Sequence, residues 1–253
     1  MSSRPLVPPE LLGAPRNRWD LAVEVLLAAT LVLLPVAFGG VDAFSELAAL
    51  ALVGAAAVVV LLRTAVDRTF APPRSWTYLP LAAMLALAAL QAISWPAAWV
   101  AWASPQSVAL RQDLLSDLPP ATDSDPAARS AISLYPPATW HSLRLLLIGA
   151  GVYFVTLATV RTAPQITRLL TIVLGIGAAQ AALALLQIFT RADKIYWVVD
   201  AGTDRVTSGS FVNYSNFSQF MNLSIGAGLA LLLIRLHEPS APRHIIFALA
   251  ADE

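Results

Sequence analysis

Apolar runs long enough to cross a lipid bilayer recur along this chain. A membrane core of about 30 Å needs roughly 20 apolar residues in a helix. Six runs come close to that length, at residues 21–38, 44–62, 78–95, 142–160, 169–189 and about 217–234, and a shorter run follows at 245–250. The pattern predicts an all-α, polytopic transmembrane helix bundle with about six full spans and the start of a seventh, surrounded by lipid.

Composition supports this class of fold and excludes others. Hydrophobic residues make up 57% of the chain and charged residues 13%, whereas an average soluble domain has about 25% charged residues. The formal net charge is zero, so bulk charge gives no basis for a nucleic-acid partner. The chain has no Cys, which excludes disulfides, thiolate catalysis and Cys-ligated metals.

Basic residues predict the orientation in the membrane, because cytoplasmic loops are enriched in Lys and Arg. One set of span ends carries Arg4, Arg16, Arg18, Arg63, Arg68, Arg74, Arg161, Arg168, Arg235 and Arg243. We therefore expect a cytoplasmic tail at 1–19, a bundle at 20–250, and outer loops at about 96–141 and 190–216. The Ala-, Leu- and Arg-rich composition is typical of a bacterial protein, so the expected location is a bacterial inner membrane, with outer loops facing the periplasm.

The first outer loop contains helix-start signals. Ser104 followed by Pro105 is typical of an N-cap with Pro at the first helical position, and we expect a short surface helix there. Thr139 is placed to be the N-cap of the fourth span.

The outer segment 205–222 (RVTSGSFVNYSNFSQFMN) is polar and runs directly into the sixth apolar run. A guanidinium at Arg205 can hold a phosphate or diphosphate with two hydrogen bonds; alternatively, it pairs with Asp200 or Asp204. In a helix, Ser215, Gln219 and Asn222 share one face, which either binds sugar hydroxyls or contacts neighbouring helices. Gln180 and Gln187, seven residues apart, are expected to bond between helices.

His141 and Arg144 lie three residues apart at the outer end of the fourth span, so they share a helix face. A charge at the depth of Arg144 is costly unless it is paired or hydrated, so this residue either contacts a ligand or extends to the interface. The His residues lack metal-ligand spacing, and the chain has no Walker loop, dinucleotide-binding glycine motif or nucleophile elbow. We expect no metal and no cofactor.

Two segments resemble a known family. Residues 133–139 (SLYPPAT) precede the fourth span and residues 205–213 (RVTSGSFVN) precede the sixth, and the 38–40 (FGG) end of the first span also fits. Together they are similar to the N-terminal half of the O-antigen ligase and polymerase family, integral membrane glycosyltransferases of bacterial envelopes. The family's Asn-x-Asn is altered here, because Ser215 stands at the second Asn position and Asn216 follows it.

The resemblance implies transfer of a glycan from an undecaprenyl diphosphate carrier at the periplasmic face. An acceptor hydroxyl attacks the anomeric carbon, and positioned Arg groups stabilise the leaving diphosphate without a metal. Arg205 would be the catalytic group facing the diphosphate, while Gly209 and Asn213 would shape the site. Asn216, His141 and Arg144 complete the predicted substrate-binding set.

The resemblance also implies that this chain lacks part of the family's machinery. Family members continue into further spans and a large periplasmic loop that carries a His and further Arg. We therefore expect an inactive fragment, or a partner chain that supplies the missing half. Ligase, polymerase and protein O-glycosyltransferase activities are not distinguished. The alternative is a non-enzymatic membrane protein, either a transporter or an assembly subunit, of envelope polysaccharide biogenesis.

Overall fold

A computed structural model describes residues 17–115, 129–200, 202 and 205–237. Within these residues the regular structure is almost entirely helical. The α-helices are α1 (Arg18–Val36), α2 (Ala43–Val66), α3 (Tyr78–Ala92), α4 (Ala97–Ala103), α5 (Pro105–Leu115), α6 (Pro136–Thr159), α7 (Ala163–Thr190) and α8 (Tyr214–His237). A single 3₁₀ turn at Phe38–Gly40 follows α1. The strands are β1 (Ser94–Pro96), β2 (Arg129–Ala131), β3 (Lys194–Ile195) and β4 (Val199–Asp200).

Five of the described helices are long and apolar enough to cross a membrane: α1, α2, α6, α7 and α8. This result confirms the all-α fold and the multi-pass membrane class. The predicted third span is a shorter apolar helix of 15 residues, α3. It ends at Ala92 because residues 94–96 leave the helix to pair with β2 as an antiparallel strand. The predicted seventh run at 245–250 lies outside the described residues.

The chain divides into two compact units, Met1–Ser45 with Thr159–Glu253 and Glu46–Ala158. In the first unit, α7 packs against both α1 and α8. Gly177 of α7 lies so close to Ser224 of α8 that a Cβ at this glycine would overlap the serine side chain. Small residues at a membrane helix interface allow the two backbones to approach closely, and this contact is an example.

An ion pair also joins two helices of the first unit. Arg168 of α7 makes a bidentate contact with Glu24 of α1, with its Nη2 2.7 Å from Oε2. A guanidinium and a carboxylate suit this two-bond geometry, and the charge of Glu24 is thereby paired within the protein.

The second unit contains the predicted surface helix. α5 begins at Pro105 directly after Ser104, as expected, while the preceding α4 was not predicted. The guanidinium of Arg111 donates from Nη2 to the backbone oxygens of Ala131 (3.0 Å) and Ser133 (2.9 Å), and thereby ties α5 to the segment before α6.

The N-cap predicted at Thr139 is wrong. α6 begins at Pro136, since proline has its backbone angle already fixed for the first helical position. Thr139 therefore lies inside the helix, where its Oγ1 is 2.7 Å from Oγ of Ser133.

Candidate functional site

The C-terminal end of α7 turns back on itself next to the loop that carries Arg205. Arg191 adopts a left-handed conformation (φ 52°) at the helix C-cap. The backbone N–H of Ala192 then donates to the oxygen of Gln187 (2.9 Å), and the N–H of Val206 donates to the oxygen of Ala192 (2.9 Å). These bonds place the start of the 205–213 loop beside the end of α7.

Two glutamines on α7 hold the rest of this loop. Gln187 is fully buried and donates from Nε2 to the oxygen of Gly209 at 2.8 Å. Two turns earlier, Oε1 of Gln180 accepts from the backbone N–H of Ser210 (3.1 Å) and lies 2.9 Å from its Oγ. We expected both glutamines to bond between helices. Gln180 does reach Pro35 of α1 at 3.4 Å, but Gln187 bonds to the loop.

Ser210 is the point at which the loop meets α1. It is fully buried, and its Oγ contacts the backbone oxygen of Pro35 as well as Gln180. Pro35 lies in the last turn of α1, where backbone oxygens lack a partner within their own helix. Ser210 and Gln180 provide donors for that oxygen.

Two glycines allow the 205–213 loop to lie close to α7 and to the 38–40 turn. Gly209 has φ +62°, and a Cβ there would lie 2.6 Å from Oε1 and 3.1 Å from the backbone oxygen of Gln180. Gly39 (φ +73°) faces the ring of Phe211 in the same way. The 38–40 turn and the 205–213 segment, which carry part of the family resemblance, therefore lie against each other.

A cavity of about 70 Å³ lies between the end of α7 and the loop, and its lining includes Gln187, Arg191, Arg205 and Thr207. One water needs about 10–15 Å³ of such space, so the cavity has room for a small oxyanion. Two arginines in its lining give it the chemistry of an anion site. From the sequence we predicted Arg205 as a site residue but missed Arg191. The only indication of Arg191 in the sequence is its position as a basic residue just after the apolar run 169–189.

The amide of Gln187 adds an unusual feature to this cavity. Its Oε1 is buried and has no hydrogen-bond partner among the described residues. Most buried polar atoms in proteins are hydrogen-bonded, so an unpaired acceptor on a residue that lines the cavity is informative about what the cavity holds.

The two predicted asparagines lie at the start of α8. Oδ1 of Asn213 accepts from the backbone N–H of Ser215 at 2.8 Å, which is the bond that an N-cap residue makes. Asn213 therefore has a structural role at the helix start. Asn216 lies in the first turn of α8 and is exposed. The predicted polar face, formed by Ser215, Gln219 and Asn222, is exposed as well.

His141 and Arg144 share a helix face, as predicted, and both contact one carboxylate. Nδ1 of His141 is 2.6 Å from Oε1 of Glu46, and Nε of Arg144 is 3.2 Å from Oε2. Glu46 is only 3% exposed, whereas the two basic side chains are 46% and 39% exposed. The charge of Arg144 is thus paired. Glu46 was missed, although it is the only charged residue in the apolar run 44–62.

The predicted site residues therefore fall into two sets. Arg205, Gly209, Asn213 and Asn216 belong to the first unit, and His141 and Arg144 belong to the second. Across the described part of the chain, no three His, Asp or Glu side chains are grouped to hold a metal.

Comparison of the chain with protein-family models, with curated proteins and with solved structures found no match.

Proposed function

We propose that this protein is an inner-membrane glycan transfer protein of the O-antigen ligase or polymerase type. It would move a glycan from an undecaprenyl diphosphate carrier at the periplasmic face of a bacterial inner membrane, with the N-terminus in the cytoplasm. The observation that carries the proposal is the cavity lined by both Arg191 and Arg205, next to a loop fixed by Gln180 and Gln187.

The chemistry needs stabilisation of a leaving group. As the acceptor oxygen bonds to the anomeric carbon, the bond from that carbon to the diphosphate breaks, and the electron pair goes to the diphosphate oxygen. Fixed cationic donors stabilise such developing charge best when they need no rearrangement during the reaction. Arginine suits this role better than lysine, because its planar fork matches two phosphate oxygens and stays charged.

The buried amide bonds to the loop support a fixed geometry. Gln187 holds Gly209 and Gln180 holds Ser210, and Val206, directly after Arg205, donates to the oxygen of Ala192, just after the end of α7. A site held by packed, hydrogen-bonded neighbours keeps its groups in position. In this proposal, the group that activates the acceptor hydroxyl comes from a partner chain or from another segment of a longer protein.

Substitution of Arg205 tests the proposal. In cells that depend on this protein for glycan transfer, Arg205→Ala should lower transfer about 100-fold to 1000-fold, the usual effect of removing one transition-state donor. The measurement is the amount of glycan attached to the acceptor, normalised to the amount of protein in the membrane.

Lys194→Ala is the matched control, because Lys194 is an exposed cation in the same predicted outer loop and is not part of the cavity lining. It should transfer glycan as the unsubstituted protein does. If Arg205→Ala also retains full transfer, the assigned role is wrong, and the alternative of a non-enzymatic transporter or assembly subunit is favoured.

A further inference from the structure

The orientation of the Gln187 amide is fixed by its neighbour. Nε2 donates to the oxygen of Gly209 at 2.8 Å. A 180° turn of the amide would place Oε1 against that oxygen, so that two acceptors would face each other. Oε1 is therefore the atom left without a partner in the described part of the chain, on a residue that is 0% exposed.

This acceptor restricts what the cavity can hold. A buried oxygen without a donor is unfavourable, so a bound group should offer an O–H or N–H to Oε1. Arg191 and Arg205 line the same cavity and can only donate, so the bound group should also carry negative charge. An oxyanion that retains a proton meets both requirements.

We propose that the cavity binds a phosphate group that carries a proton, with Gln187 Oε1 accepting its O–H and the two arginines holding its other oxygens. Terminal phosphates and phosphomonoesters keep this proton in about half of their molecules at pH 6, since their second pKa is about 6. Phosphodiesters and sulfate do not. The cavity would therefore distinguish protonated phosphate from anions of similar shape.

The inference rests on the proposed function for the identity of the phosphate carrier, and it makes that function more specific. In the glycosylated carrier, each phosphate is linked on both sides, by an ester on one side and by the diphosphate anhydride on the other, and it has no proton to donate. When the carbon–oxygen bond breaks, the diphosphate gains a free end, which takes up the proton lost by the acceptor hydroxyl. Gln187 would thus recognise the released carrier rather than the glycosylated donor.

The first test compares phosphate with sulfate. The purified full chain in detergent is incubated at pH 6 with radiolabelled inorganic phosphate, and unlabelled phosphate or sulfate is added as competitor. We expect phosphate to bind at least about tenfold more tightly than sulfate, which corresponds to about 1.4 kcal/mol. Equal binding of the two anions overturns the proposal. Binding of neither overturns it as well, because the cavity would then hold water only.

Two variants separate recognition from support of the loop. Gln187→Met removes the acceptor, so phosphate and sulfate should then bind about equally tightly. Gln180→Met loosens the same loop through Ser210 but leaves Oε1 of Gln187 in place. It should weaken both anions together and retain their ratio. A phosphate preference that persists in Gln187→Met contradicts the role of Oε1.

A lipid series identifies the source of the phosphate. Nanodiscs containing either a polyprenyl monophosphate or phosphatidylglycerol, a phosphodiester, are compared as competitors of labelled phosphate. Competition by the monophosphate alone supports a lipid carrier, and the absence of competition by either lipid supports free phosphate as the ligand. Competition by both lipids overturns the requirement for a proton. If the protein binds phosphate more tightly than sulfate but transfers no glycan in cells, only the proposed function is contradicted.

Discussion

Gln180, Gln187 and Gly209 determine the course of the loop that carries Arg205. The two amides contact consecutive loop residues, Gly209 and Ser210. Gly209 fits because it lacks a side chain and tolerates a positive φ. The candidate anion site therefore depends on three neutral residues as well as on its two arginines.

Gly209→Ala should lower the thermal stability of the protein. The left-handed conformation costs a non-glycine residue about 1–2 kcal/mol. The new Cβ would also displace the side chain of Gln180, because it would lie 2.6 Å from Oε1 of that residue. Gly202→Ala is the control, because Gly202 also has a positive φ (+68°) but no atom of the described residues lies within 4 Å of its Cβ position. The melting temperature in detergent should fall further for Gly209→Ala; equal shifts would show that the contact with Gln180 is unimportant.

Some of these residues were predictable from the sequence and others were not. Arg205 and Gly209 lie in a polar segment at the mouth of an apolar run, which is a visible pattern. The bond from Gln187 to Gly209 joins residues 22 positions apart, and helical periodicity carries no information about a loop. Arg144 lies 98 residues after Glu46, and His141 contacts the same carboxylate. These pairings depend on tertiary packing, so no local sequence pattern predicts them.

At the scale of elements, the long helices were predictable because their apolar runs are uninterrupted. The exceptions have physical causes. The run 78–95 contains Trp95, which pairs with Ser130 in a strand ladder, and a long-range backbone pairing leaves no trace in hydropathy. α4 is short and apolar, so its sequence is indistinguishable from an interfacial loop rich in Trp.

Close packing of α7 on α8 gives a prediction at this scale. Gly177→Ala should destabilise the first unit by about 1–3 kcal/mol, the usual cost of overpacking, because its Cβ would overlap Ser224. Gly175→Ala lies on the same helix with open space at its Cβ position, and it should be neutral or stabilising by up to about 1 kcal/mol. Thermal unfolding of the two variants should separate them; a loss of stability in Gly175→Ala would contradict this account of the contact.

At the scale of the whole molecule, the distribution of Arg residues predicts which loops face the cytoplasm. The chain contains no Cys, so single cysteines can report sidedness without background. Ala71 and Val198 are both exposed, and they lie in loops predicted to face opposite sides of the membrane.

Val198→Cys should react with a membrane-impermeant maleimide in cells whose outer membrane alone is permeabilised. Ala71→Cys should react only after the inner membrane is opened. Each variant is then denatured and labelled again, to show that its cysteine is present. Reaction of Ala71→Cys in the intact cells, with protection of Val198→Cys, would reverse the proposed orientation.

The contact between Ser210 and Pro35 has a consequence for biogenesis. The donors of the Pro35 oxygen lie 145 and 175 residues later in the chain. At about 5–20 residues per second, the ribosome takes roughly 7–30 s to make the first of them. During that interval the end of α1 must obtain its hydrogen bonds from water or from the insertion machinery, because an unpaired carbonyl is costly in lipid. The candidate anion cavity can therefore be completed only after the loop that carries Arg205 has been made.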